Sequence, residues 1–258
     1  MKAARQLAKR AFRERSRSFL AEGPQAVREA LGRPGVLTEL FATTAARDRH
    51  GDLVEAAAAT DVPVHLVSGE VMTELAQTVT PQGLLGVCRF IDVSLAELTA
   101  SSPRLVAVLA SVRDPGNAGT VLRTADAAGA GGVIFTSASV DPYNSKCVRS
   151  SAGSLFHVPV VAGPEPGEVA AALRGAGLRL LAADGAADQV LDPGGANEWL
   201  AGPTAWLFGN EAWGLPAEVL ALADAPVAVP IYGRAESLNL AAAAAVCLYA
   251  SAAAQRLS

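Results

Sequence analysis

Aromatic residues make up only 5% of this 258-residue chain, too few for recognition by rows of stacking side chains across a sheet face. Cysteine is scarcer still. Cys88, Cys147 and Cys247 lie far apart, without a CxxC pair or a nearby histidine pair. That spacing argues against a bound metal, and an odd cysteine count fits a reducing compartment. We therefore expect no metal ion and a cytoplasmic location. The longest apolar run, 238–254, is mostly alanine and is interrupted by Asn239 and Ser251. It reads as too short and too weakly hydrophobic to span a bilayer, so no membrane association is expected. The basic, amphipathic start lacks the unbroken apolar stretch of a signal peptide. The GxGxxG fingerprint is also missing, which disfavours a nicotinamide-dependent enzyme of the dinucleotide-binding type.

Hydrophobic residues reach 51% against 18% charged, the balance of a folded globular chain. The length allows one large domain or two modest ones. The net charge of −4 conceals an asymmetry. Residues 1–19 hold Lys2, Arg5, Lys9, Arg10, Arg13, Arg15 and Arg17 against Glu14 alone, a local +6 on a body of −10. Such a split fits either a local contact with a polyanion or a solvated basic leader helix.

Two patterns divide the chain. In 20–92, short stretches alternate as a small α/β unit. Gln25–Leu31, Asp52–Thr60 and Glu70–Gln77 read as helical; Val36–Phe41, Val64–Val67 and Leu84–Ile91 read as strands. The polar run Thr99-Ala-Ser-Ser-Pro103 reads as a linker, giving domains of 1–98 and 104–258. Beyond it, apolar strands at Leu105–Leu109, Gly132–Thr136, Leu178–Ala183, Ala205–Phe208 and Val227–Pro230 alternate with helices. One helix runs Asn117–Gly129 and the last begins at Ser237. Continuous apolar strands between helices indicate a parallel sheet covered on both faces.

Ligands of such sheets gather at the carboxyl ends of the strands, and three of those loops carry chemistry. The first is Arg113-Asp-Pro-Gly-Asn-Ala-Gly119, with Asn117 placed as a helix cap and Arg123 off the apolar stripe. On spacing alone, the plainer reading of Arg123 is a surface pair with Asp126. The second is Phe208-Gly-Asn-Glu-Ala-Trp-Gly-Leu215, where Gly209 permits close ligand approach and Glu211 is an acid at a strand end. The third is Ile231-Tyr-Gly-Arg-Ala-Glu-Ser-Leu-Asn239, with Ser237 and Asn239 as a helix cap and its neighbour.

Taken together and in order, these loops resemble the three signature motifs of the SpoU (TrmH) family of RNA ribose methyltransferases, within the SPOUT superfamily. The matching segments are Asp114-Pro-Gly-Asn-Ala-Gly-Thr-Val-Leu-Arg-Thr-Ala125, Phe208–Leu215 and Val229-Pro-Ile-Tyr-Gly-Arg-Ala-Glu-Ser-Leu-Asn239. Lys146-Cys-Val-Arg-Ser-Ser-Ala-Gly153 is similar to the family's basic-then-small segment. Glu22-Gly-Pro-Gln-Ala-Val27 resembles the opening of its small L30-like N-terminal domain. The resemblance implies an α/β fold with a C-terminal trefoil knot. It further implies an S-adenosylmethionine pocket lined by Gly209, Val229, Ile231 and Leu238, and a homodimer with the site at the subunit interface. It implies catalytic roles for Arg123, Asn117, Glu211, Ser237 and Asn239. RNA phosphate would be held by Arg149 and, from the basic leader, by Lys9, Arg10 and Arg13. The implied substrate is structured RNA, ribosomal in preference to transfer RNA; the alternative is a non-catalytic RNA-binding or assembly factor.

Overall fold

The computed structural model describes residues 2–76, 78–192 and 198–257. Among the described residues the strands are β1 (Ser18–Glu22), β2 (Leu37–Ala42), β3 (Val64–Leu66), β4 (Leu84–Arg89), β5 (Leu105–Leu109), β6 (Gly132–Phe135), β7 (Val160–Ala162), β8 (Arg179–Ala183), β9 (Thr204–Phe208) and β10 (Ala225–Val227). The α-helices are α1 (Lys2–Gln6), α2 (Arg10–Ser16), α3 (Pro24–Leu31), α4 (Thr44–Arg49), α5 (Gly51–Ala59), α6 (Gly69–Ala76), α7 (Leu95–Ala100), α8 (Pro115–Ala128), α9 (Ser145–Ser150), α10 (Pro166–Gly175), α11 (Ala217–Leu220) and α12 (Leu240–Leu257). The expected helix 70–77 matches α6 up to Ala76; Gln77 lies outside the described residues.

The chain divides into two compact units, Met1–Ile91 with Tyr143–Phe156, and Asp92–Pro142 with His157–Ser258. This differs from a single cut at 98–104 in two places. The run expected as a linker begins inside α7, which starts at a capping box of Ser94 and Glu97. Leu98 of α7 is buried in the core of the second unit, with Val106, Ile134 and Leu173. Residues 143–156, conversely, belong to the first unit through aromatic contacts that no local pattern announces. The Tyr143 ring stacks on Phe90 at 3.8 Å and lies 4.7 Å from Phe19. Its hydroxyl accepts a hydrogen bond from the Ile91 amide.

The first unit is built on a sheet of order β1-β4-β2-β3, antiparallel except for the β2–β3 pair. The basic leader is part of it. Ala4 and Leu7 are buried with Leu20, Phe41, Met72, Leu75 and Leu85, and β1 starts at Ser18, ahead of the expected boundary at 20.

The second unit holds a six-stranded, wholly parallel sheet of order β10-β8-β9-β5-β6-β7. Strand alternation sends Val106, Val108, Ala205 and Leu207 into one core with Val169 and Leu173 of α10. The opposite face meets α12, where the Trp206 indole donates to Ser251 Oγ at 2.8 Å, both groups buried. Burial on both faces explains the unbroken apolar strands. Helix α12, at eighteen residues, is long and apolar enough to cross a membrane, contrary to the expectation from sequence. It packs instead against α8, β5 and β9, and nine of its residues are buried.

Two boundaries near the ligand end also move. The strand expected at 227–230 runs Ala225–Val227, and beyond it Ala228 makes only an isolated bridge to Val190. The last helix starts at Leu240 rather than Ser237. Asn239 begins it, its Oδ1 accepting from Ala241 N at 2.9 Å.

Candidate active site

The carboxyl ends of β8, β9 and β10 open onto one cavity of about 680 Å³. Its size suits a small molecule or cofactor, and its position is the usual one for an open parallel sheet. Gly209, Val229, Ile231 and Leu238 line it, as do Glu211 and Ser237. A fourth segment, Asp184 to Val190 after β8, also forms its wall. Sequence reading passed over that segment because it is mostly glycine, alanine and aspartate; its place after a strand end was the available signal.

Three loops far apart in sequence are joined by one chain of hydrogen bonds. Asn117 Nδ2 donates to Glu211 Oε1 at 2.8 Å, and Asn239 Nδ2 donates to Asn117 Oδ1 at 3.1 Å. Asn117 can serve here because it is not the helix cap that its position implied. Asp114 caps α8, its carboxylate accepting from the Asn117 amide at 2.8 Å, and Pro115 fills the first turn. The Asn117 side chain is thereby released toward the other loops. Ser237, expected as a cap, stands in the cavity wall, and Asn239 does the capping.

The second loop is a pinned turn. Asn210 and Gly214 exchange backbone hydrogen bonds of 2.8 and 2.9 Å, with Gly214 at φ +72°. A Cβ on Gly209 would lie 2.3 Å from the Gly214 carbonyl carbon. The close approach that requires glycine is thus to the loop's own backbone, not to a ligand. Asn210, which sequence reading did not single out, is the hub of this turn. Its Oδ1 accepts from Ala212 N at 2.8 Å, and its Nδ2 donates to the Ser111 carbonyl at 3.3 Å. Ser111 holds a left-handed backbone, φ +64°, which is costly for a residue with a side chain. An asparagine in a glycine-flanked turn is a common local bonding device, and that was the signal available.

The third loop is set by its strand. Asp224 Oδ2 accepts from Leu180 N at 2.8 Å, while Oδ1 accepts from Arg174 Nη2 at 2.8 Å. Burial alone would raise the Asp224 pKa, but these hydrogen bonds and the charges of Arg174 and Arg179 outweigh it and hold the carboxyl below the usual aspartate value. The anchored β10 then delivers residues 228–238 to the cavity.

Electrostatically the cavity is one-sided. Asp184, Glu211 and Glu236 line it, and among the described residues no lysine or arginine does. Such a lining favours a cation and disfavours a phosphate. Among the described residues there is also no cluster of His, Cys, Asp and Glu able to hold a metal ion.

The expected basic residues sit in different settings. Arg123 is exposed on α8 and is outside the cavity wall. Its anticipated partner Asp126 pairs instead with His157 Nδ1 at 2.8 Å. Arg149 is held in the first unit by Glu22, a nearly buried carboxylate 3.0 Å away. Arg13 is 4% exposed and donates to the carbonyls of Leu7 and Ala8, at 2.8 and 3.0 Å. It closes the end of the first leader helix, as cations do at helix C-termini, and so it drops out of the surface set. Arg10 is exposed and bonded to Glu14, and Lys9 is exposed.

Comparison with known proteins falls on the same loops. The profile of the SpoU rRNA Methylase family matches residues 104–249, and that of the MRM3-like substrate binding domain matches residues 1–86. The chain is 33% identical over 240 residues to the 23S rRNA (guanosine(2553)-2'-O)-methyltransferase RlmP of Bacillus subtilis, covering 92% of this chain and 89% of that one. Its fold superposes on the AdoMet-bound rRNA methyltransferase from Sinorhizobium meliloti with a TM-score of 0.82 at 31% identity, over 97% and 92% of the two chains. On the SpoU methyltransferase AviRb from Streptomyces viridochromogenes, in complex with AdoMet, it superposes with a TM-score of 0.83 at 29% identity, over 100% and 97%. By these matches the chain belongs to the SpoU rRNA methylase family.

Proposed function

We propose that this protein transfers a methyl group from S-adenosylmethionine to a ribose 2′-hydroxyl of ribosomal RNA. The observation that carries this reading is the Asn117–Glu211 and Asn239–Asn117 bonding beside a cavity whose charged lining groups, among the described residues, are all carboxylates. The donor's charge fits that lining. S-adenosylmethionine carries a sulfonium, an ammonium and one carboxylate, whereas a nicotinamide dinucleotide would bring a pyrophosphate against Asp184, Glu211 and Glu236. Val229, Ile231 and Leu238 would hold the adenine and methionine parts, largely through their backbone groups, with Gly209 at the floor of the second loop.

When bound, the donor supplies a methyl group that an oxygen nucleophile can attack. The residues of this chain must bring the ribose oxygen to it in line, so positioning dominates. Ser237 and Asn239 position the nucleotide, Asn117 orients the ribose, and Glu211 fixes Asn117. The hydroxyl is a poor nucleophile until it gives up its proton. Arginine stays protonated at ordinary pH. Arg123 therefore holds the RNA phosphate and stabilises negative charge growing on the ribose oxygen, while a phosphate oxygen takes the proton.

Three further features belong to the same reading. Membership of the SpoU rRNA methylase family supports a trefoil knot through the third loop. The exposure of Arg123 and of residues 231–239 in a single protomer supports a homodimer whose second copy covers this face. Three buried cysteines, none in a disulfide among the described residues, support a cytoplasmic setting. Exposed Lys9 and Arg10, together with Arg149, would contact RNA phosphate. Incubation with methyl-labelled S-adenosylmethionine and either transcribed 23S rRNA or bulk tRNA tests the proposal. Label is expected in the ribosomal RNA; label confined to tRNA, or none in either, contradicts it.

A further inference from the structure

We infer that Trp213, backed by Arg113, is a stacking platform for one unpaired base of the RNA substrate, beside the ribose to be methylated. The inference rests on the proposed function for its substrate class, but its observations are separate. Trp213 is 55% exposed, an unfavourable place for a large ring unless something covers it. The ring is not on a loose tip. It projects from the turn that Asn210 and Gly214 close with two backbone hydrogen bonds and that Asn210 ties to Ser111. The Arg113 guanidinium lies 5.0 Å from the indole centroid, covering one face and leaving the other for a ligand.

The two groups suit one chemistry. An indole face and a guanidinium plane both stack on nucleobases, and stacking on a rigid ring tolerates any base. Position narrows the choice further. Trp213 is two residues from Glu211, whose carboxylate is bonded to Asn117 at 2.8 Å, so the platform adjoins the proposed ribose position. The other tryptophans differ. Trp206 is fully buried with its N–H on Ser251. Trp199 also has an arginine over it, Arg179 at 5.6 Å, but it lies ahead of β9, at the end of that strand away from the cavity. Trp213 is not in the cavity wall, so the cofactor site does not depend on its ring. Aromatic scarcity in the sequence excluded a sheet-face array, not a single ring on a motif loop.

The test is equilibrium binding of transcribed 23S rRNA and of bulk tRNA to the full chain, comparing wild type with Trp213→Leu and Trp213→Phe. S-adenosylmethionine affinity and methyl transfer are measured in parallel. Trp213→Leu is expected to weaken RNA binding about ten-fold, and Trp213→Phe to stay within about three-fold of wild type. Tryptophan fluorescence should be quenched by RNA in the wild type and not in Trp213→Phe. Equal RNA binding by all three proteins, or quenching that survives in Trp213→Phe, overturns the platform while leaving the methyltransferase reading intact. A wild type that binds RNA through Trp213 but transfers no methyl group upholds the platform and removes the proposed activity. A wild type that binds neither RNA overturns both.

Discussion

The side-chain amide of Asn117 meets the carboxylate of Glu211 at 2.8 Å across 94 residues of sequence. Because Asn239 donates to the same Asn117 side chain, removing Asn117 breaks both bonds, and removing Glu211 or Asn239 breaks one of the two that hold it. Asn117→Ala and Glu211→Ala should each lower kcat by about 10- to 100-fold, the range for a lost positioning group. The double variant should cost little more than either single one, since both act through one contact. Steady-state kinetics of the four proteins measures this; simple multiplication of the two single effects would show that the residues act separately.

Gly209 cannot carry a side chain without displacing the Gly214–Leu215 backbone. Gly209→Ala should destabilise the second unit by about 1–3 kcal/mol, the usual range for overpacking, and weaken S-adenosylmethionine binding along with it. Thermal unfolding and titration calorimetry provide both numbers. An unchanged affinity would mean that the cavity does not need this turn.

Asp224 has a lowered pKa in the folded state. Its contribution is therefore complete above the unfolded aspartate value of about 4 and is lost as pH falls through the lower folded value. The wild type should lose stability on acidification below about pH 4, and Asp224→Asn should lose less over that interval. At neutral pH the variant should be less stable by about 1–2 kcal/mol, through weakened bonds to Leu180 and Arg174. Denaturant unfolding across pH compares the two slopes.

Two leader cations should separate cleanly. Arg13→Ala leaves carbonyls of Leu7 and Ala8 without their donor and should destabilise the first unit by about 1–3 kcal/mol. Lys9→Ala should leave stability alone but weaken RNA binding, lowering the salt dependence by about one released counterion. Melting curves and binding at several salt concentrations distinguish them.

How much was legible follows the range of each interaction. Strand β5 was read to the residue, and most others to within one or two, because alternation and apolar runs are local. The Asn117 cap was misplaced by three residues because Asp114, Pro115 and Asn117 all suit the start of a helix, and only geometry chooses among them. Arg13 was read as a surface charge since nothing local reports that its guanidinium turns back on α1. The 143–156 segment was read as part of the larger domain, and long-range contacts such as the Tyr143–Phe90 stack and the Arg149–Glu22 pair return it to the first unit. The cavity residues Gly209, Val229, Ile231 and Leu238 were reached through motif likeness. The loops themselves stood out by their place at strand ends, but being irregular and without period they gave no sign of which residues face the cavity.

The most direct measurement is where the methyl group lands and whether Arg123 is needed. Transcribed 23S rRNA would be labelled by the wild type and by Arg123→Ala, then hydrolysed with alkali, which cannot cleave next to a 2′-O-methyl ribose. The account predicts label in alkali-resistant dinucleotides from the wild type, and about 100-fold or greater loss of rate in Arg123→Ala with RNA binding largely kept. Label in mononucleotides, or an Arg123→Ala protein that works at the wild-type rate, would contradict it.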